Sequence, residues 1–140
     1  MSDERVAAAV RARFIPLKQL LGVHREASRR YRPFWTPTLL WLDPDGRVLL
    51  RWPGLLPADE LLAHMDLGEA LVGLRRGRFP ESLDRLERCV ADWPETAAAP
   101  EALYWAGNVR YVMEGDREAL DEARERLLER YPESPAARRV

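Results

Sequence analysis

The sequence predicts a mostly helical α/β chain, with short helices and a β-hairpin followed by a two-hairpin α-solenoid. Three observations carry that prediction. Thr38–Leu42 and Arg47–Trp52 are apolar, strand-like segments joined by Asp43-Pro44-Asp45-Gly46. Downstream, glycine and aromatic-proline marks recur at a spacing of 38 residues. The 140 residues are 46% hydrophobic and 32% charged, which excludes a disordered tail.

The N-terminal segment opens on Ser2-Asp3-Glu4, acidic residues suited to a helix start, and continues with Val6, Val10 and Phe14 on one face. Phe14-Ile15-Pro16-Leu17-Lys18 admits two readings. As a strand it is short and carries a proline, which suits a sheet edge. As a helix beginning at Pro16, it sets Leu17, Leu20, Leu21, His24 and Tyr31 near one face. Glu26 to Tyr31 is helical in both.

In the hairpin turn, Pro44 pre-sets one backbone angle and Gly46 supplies the unusual one. Pro53-Gly54 ends the second strand, and Pro57-Ala58-Asp59-Glu60 starts a helix through Leu61, Leu62 and Met65. Helices are expected over about 58–76, 80–92, 100–114 and 117–130, punctuated by Gly77, Trp93-Pro94, Gly115 and Tyr131-Pro132. Gly77 recurs as Gly115, and Trp93-Pro94-Glu95-Thr96 recurs as Tyr131-Pro132-Glu133-Ser134. A helical hairpin repeated at this period buries its apolar face only against its neighbour.

Charge and cysteine usage exclude several function classes. Lys+Arg is 22 and Asp+Glu is 23, without the basic excess of a dedicated nucleic-acid binder. Cys89 is the single cysteine, so the sequence holds no CxxC pair and no intrachain disulfide. One cysteine with two isolated histidines, His24 and His64, makes none of the usual zinc sets, and no metal or cofactor is expected. Val6–Val10 is bounded by Arg5, Arg11 and Arg13, unlike a signal-peptide core, and no apolar run reaches the length of a membrane span. A cytoplasmic protein with no membrane and no nucleic-acid partner is the expectation.

Phe34-Trp35-Thr36-Pro37-Thr38-Leu39-Leu40-Trp41-Leu42-Asp43, followed by Asp45-Gly46-Arg47 and Gly54, resembles the C-terminal half of a thioredoxin fold. The resemblance implies a cis bond at Thr36-Pro37, a hairpin and a final helix. Asp3 to Tyr31 resembles the helix, strand and helix that come before. Pro100-Glu101-Ala102-Leu103-Tyr104-Trp105-Ala106-Gly107 and Tyr131-Pro132-Glu133-Ser134 resemble tetratricopeptide-like repeats. The implied organisation is a truncated thioredoxin-like domain over 1–65 and TPR-like repeats over 66–140. In the thioredoxin family the first core strand and its CxxC lie upstream of the helix matching residues 3–13. No residue here aligns with the redox cysteines, and no catalytic role carries over. The absent strand is central in that family. The expectation is that the reading frame begins upstream, that the remainder has rearranged, or that another chain fills the gap.

The candidate residues follow. Thr36 and Pro37 occupy the position that presents backbone to a bound peptide in the family. Trp93, Tyr104, Trp105 and Tyr111 are possible contacts on the repeat surface, although aromatics at repeat ends commonly serve interhelix packing. Cys89 lies among Leu83, Leu86 and Val90, where a small buried hydrophobe is the usual occupant. Asp43 and Asp45 lack the further ligands of an EF-hand and are explained by the turn. Arg29, Arg30 and Arg32, like Arg75, Arg76 and Arg78, read as solvated faces. The expected function is a redox-inactive protein-interaction module that binds a protein or peptide partner and forms a homodimer, with two hairpin edges paired or N-terminal segments exchanged. The alternative is a thiol–disulfide oxidoreductase whose CxxC-bearing segment is missing from this reading frame.

Overall fold

The structure, a computed structural model, describes residues 3–140. Of the acidic opening, Ser2 lies outside the described residues. The chain divides into two units, one ending at Leu62 and one beginning at Ala63.

The first unit holds α1 (Glu4–Arg13), α2 (Arg25–Tyr31), β1 (Thr38–Leu42) and β2 (Val48–Pro53). Asp3 caps α1, its side chain accepting from the backbone N–H groups of Arg5 and Val6. The Arg5 guanidinium, hydrogen-bonded to the Asp3 carboxylate, holds that carboxyl below the usual aspartate range. Residues 14–20 form neither the edge strand nor the helix expected there. Ile15 is 89% and Leu17 73% exposed, so the apolar run has nothing to pack on. Pro16 breaks the N–H series of any ladder. His24 closes the segment by accepting at Nδ1 from the Leu20 N–H at 2.8 Å.

The hairpin forms as the residues dictate. β1 pairs antiparallel with β2, Leu39 opposite Trp52 and Trp41 opposite Leu50, with an irregularity between Trp41 and Leu42. Asp43 Oδ1 accepts from the N–H groups of Asp45 and Arg47, each at 2.9 Å, and Gly46 takes φ +75°. That carboxylate is committed to the turn. α2 is tied to the same turn by Tyr31 Oη and Arg30, which both donate to the Gly46 carbonyl.

The sheet has two strands only among the described residues. Gly54 N donates to Pro37 O at 2.7 Å, which makes residues 37 and 54 a bonded pair. Antiparallel alternation then makes 39–52 and 41–50 the next bonded pairs. The N–H and C=O groups of Thr38, Leu40 and Leu42 therefore face away from β2, along an open edge.

α3 (Ala58–Arg75) contains the division between the units. The second unit continues with α4 (Phe79–Asp92), α5 (Ala98–Glu114), α6 (Glu118–Arg130) and a short 3-10 turn at Ala137–Arg139. α3 and α4 run antiparallel. Cys89 Sγ lies 3.6 Å from the Ala63 carbonyl, Arg85 pairs with Glu69, and Gly73 faces Ser82. α5 and α6 close in the same way where Gly107 meets Ala123. Leu67, Leu86, Cys89 and Leu127 are the largest wholly buried side chains.

The two helix stops superimpose in backbone terms. Trp93 has φ −126° and ψ 47°, and Tyr131 has −135° and 48°. Gly77 and Gly115 both take φ +72°. The stops are also joined, since Tyr131 Oη donates to the Pro94 carbonyl at 2.8 Å. Burial pushes the Tyr131 hydroxyl pKa up. A raised phenol favours the folded state below the unfolded tyrosine value of about 10 and loses that contribution as pH rises through the folded value. Tyr131→Phe is expected to lower stability by about 1 kcal/mol at neutral pH. It should also remove part of the alkaline loss above about pH 10, read from urea unfolding at pH 7 and pH 10.5. Identical alkaline slopes in both proteins would refute the assignment.

Candidate functional site

The residues around Thr36 and Pro37 form the most site-like feature of the first unit. Arg32 ends α2 in the left-handed region, φ 43°, and its N–H is held by the Ser28 carbonyl at 3.0 Å. This turn throws Pro33, Phe34 and Trp35 outward. Phe34 is 74% and Trp35 62% exposed, large values for aromatic side chains. Thr38 Oγ1 donates to the Trp35 carbonyl at 2.5 Å and fixes the approach to β1. The Thr36–Pro37 bond is cis, as the resemblance implies, and both residues are exposed. A depression of about 190 Å³ lies here, lined by Leu21, Pro33, Phe34, Trp35 and Thr36. Thr36, in that lining, lies two residues before the start of β1.

Sequence reasoning singled out Thr36 and Pro37 but not Leu21, Phe34 or Trp35 as lining. The available signal was an aromatic pair directly before Thr-Pro, too apolar to be a casual surface pair. Leu21 gave no signal, because a loop earlier in the chain brings it in.

The repeat-surface aromatics do not form one cluster. Tyr104 and Trp105 meet edge-to-face, with ring centroids 5.6 Å apart. Arg139 lies over Tyr104 at 4.1 Å and pairs with Glu101 at 2.5 Å. Trp93 is elsewhere, donating from Nε1 to Asp66 at 2.9 Å. Tyr111 stands near the end of α5, partly exposed. A cleft of about 180 Å³ lies among α4, α5 and α6, where Arg110 bonds Glu87 at 2.9 Å and approaches Glu122 at 3.7 Å. Arg110 is thus satisfied by carboxylates, and its hydrogen bond to Glu87 raises its pKa.

Cys89 is wholly buried. His64 is buried within α3. No group of three or more metal-ligating side chains comes together among the described residues. No helix among them is long and apolar enough to cross a membrane.

Residues 2–69 match the family model of the thioredoxin-like domain. No curated protein and no solved structure matches the chain. The fold is mostly helical, with a two-stranded antiparallel hairpin inside the region that matches the thioredoxin-like domain and helices after it. The thioredoxin-like match covers α1, α2, the hairpin and α3 as far as Glu69.

Proposed function

We propose that the chain is a non-catalytic thioredoxin-like interaction module whose following helices are TPR-like. One observation carries the first part. The only thiol in the sequence, Cys89 Sγ, is wholly buried in α4 against the Ala63 carbonyl. A thiolate must be accessible to attack a disulfide, and burial among apolar groups suppresses both access and ionisation. The exposed Thr36–Pro37 corner retains its shape and its apolar lining without a nucleophile, which suits binding. Support for the TPR-like reading is the matched backbone of the two stops and the two glycines 38 residues apart. Tyr104 and Trp105 are its proposed contact residues, with Trp93 and Tyr111 flanking them in sequence.

The protein is expected to leave dithiothreitol-driven reduction of insulin at the uncatalysed rate. Turnover above background that disappears in Cys89→Ser would overturn the reading.

A second reading is favoured by the open edge of β1. In a thiol–disulfide oxidoreductase of this family a strand bearing CxxC lies beside that edge. The intact mass of the protein purified from its own cell separates the two. A mass above 16.1 kDa by a strand and a CxxC segment selects the oxidoreductase.

A further inference from the structure

We propose that the junction between the C-terminal end of α2 and the hairpin turn binds an acidic segment of a partner protein, through Arg30, Arg47 and Arg51. The inference rests on the interaction-module reading and names its partner chemistry.

Three observations converge. The first is placement. Arg30 Nη2 donates to the carbonyls of Asp45 and Gly46 at 3.3 and 3.2 Å, and Tyr31 Oη donates to the same Gly46 carbonyl. Arg51 Nη2 reaches back from β2 to the Tyr31 carbonyl at 2.5 Å. Arg47 directly follows Gly46, and its N–H and C=O are both bonded to Asp43. The three cations therefore belong to one junction, fixed by bonds between α2 and the hairpin. Gly46 keeps it closed, since a Cβ there would fall 2.7 Å from Arg30 Nη2.

The second observation is that these charges are left uncompensated. Elsewhere exposed guanidiniums meet carboxylates, as Arg11 meets Glu4 and Arg88 meets Asp84. Arg30, Arg47 and Arg51 are exposed and have no ion pair among the described residues. Arg30 and Arg51 bond neutral main-chain carbonyls instead. Asp43 is buried and held by N–H groups of the turn, which leaves Asp45 as the turn's exposed carboxylate. With Arg29 and Arg32, residues 29–32 and 43–51 carry five cations against those two carboxylates, in a chain whose net charge is −1.

The third observation is order. A guanidinium has five N–H donors, and Arg30 and Arg51 commit only one Nη each to carbonyls. The remaining donors are free for a carboxylate, on side chains already held in place, which lowers the ordering cost of binding.

Charge also selects among occupants. A short acidic segment covers the junction alone and gains from its field. A nucleic acid extends further, over a chain with 23 carboxylates against 22 cations, and meets repulsion there.

The test uses the full chain and a fluorescein-labelled peptide of alternating glutamate and serine. A lysine–serine peptide and an oligothymidine of equal length are its counterparts. Anisotropy should show the glutamate peptide binding about tenfold tighter than either, and weakening several-fold as NaCl rises from about 50 to about 500 mM. The Arg47 side chain makes no bond among the described residues, so Arg47→Gln removes charge without removing a structural contact. It should weaken binding about threefold, and Arg47→Gln/Arg51→Gln about tenfold. Arg88→Gln makes the same change in net charge on α4 and should leave binding unchanged. Because Arg51 also holds α2, amide chemical shifts of the unaltered protein supply a second measurement. Those of residues 29–32 and 45–47 should move on titration with the glutamate peptide.

Absent binding, or equal binding of the glutamate and lysine peptides, overturns the charge argument. An equal loss in Arg88→Gln, or shifts confined to other residues, overturns the location. Tighter binding of the oligothymidine overturns the partner class. Shifts at the junction that follow protein concentration without peptide would place a second copy there and overturn the proposal. These failures leave the insulin result untouched, so loss of this inference and loss of the non-catalytic reading are distinguishable.

Discussion

Leu86→Ala is expected to lower the unfolding free energy by about 3–5 kcal/mol. Leu86 is wholly buried on α4 and lies on the same helix face as Ser82, Cys89 and Val90, all buried. Alanine removes transfer free energy and leaves a cavity, and both effects act in the same direction. The size is large for this protein, because a helical unit of this length is stabilised by only about 0.05–0.15 kcal/mol per residue. Leu86→Met, which nearly conserves volume, should cost under about 1.5 kcal/mol. Urea unfolding of the full chain followed by helix circular dichroism gives both values. A loss below about 1 kcal/mol for the alanine variant would mean that the site collapses freely, against the packing described for α4.

Gly107→Val is the second large effect. A Cβ built on Gly107 falls 2.4 Å from the Ala123 Cβ and 3.3 Å from the Ala119 carbonyl oxygen. Real Cβ atoms do not approach another carbon that closely, so α5 and α6 must separate. Valine adds two further methyl groups, and overpacking of this kind costs about 1–3 kcal/mol or more. Helix propensity acts the other way, since replacing a mid-helix glycine gains some tenths of a kcal/mol, roughly. The clash wins. Ala123→Gly vacates the facing position, and the double variant should recover more than half of the loss. A double variant no better than Gly107→Val alone would show that the strain is not at Ala123.

Several elements were legible because their signals are local. The hairpin follows from a four-residue turn whose donors and acceptors are all within five positions, so Asp43 and Gly46 announce it without tertiary information. The helices of the second unit follow from stops at Gly77, Trp93, Gly115 and Tyr131, each of which ends a helix by its own backbone angles. Residues 14–20 were not legible in this way. Ile15-Pro16-Leu17 is apolar enough for a strand or a helix, and only a neighbour on the sheet could choose between them. Without one, the segment takes neither form. The site divides along the same line. Thr36 and Pro37 form a contiguous motif, but the depression needs Leu21, which joins it through a loop that no periodicity encodes.

The Tyr131–Pro94 hydrogen bond has a statistical-mechanical consequence. It joins the stop that follows α6 to the stop that follows α4, so neither helix end can open without the other losing a partner. A helix end frays unless something holds it. Here the tether sits one residue beyond Arg130, at the terminus where fraying would begin. Opening the end of α6 must therefore release a half-buried phenol as well as a helical turn, and the two helix ends open together rather than singly.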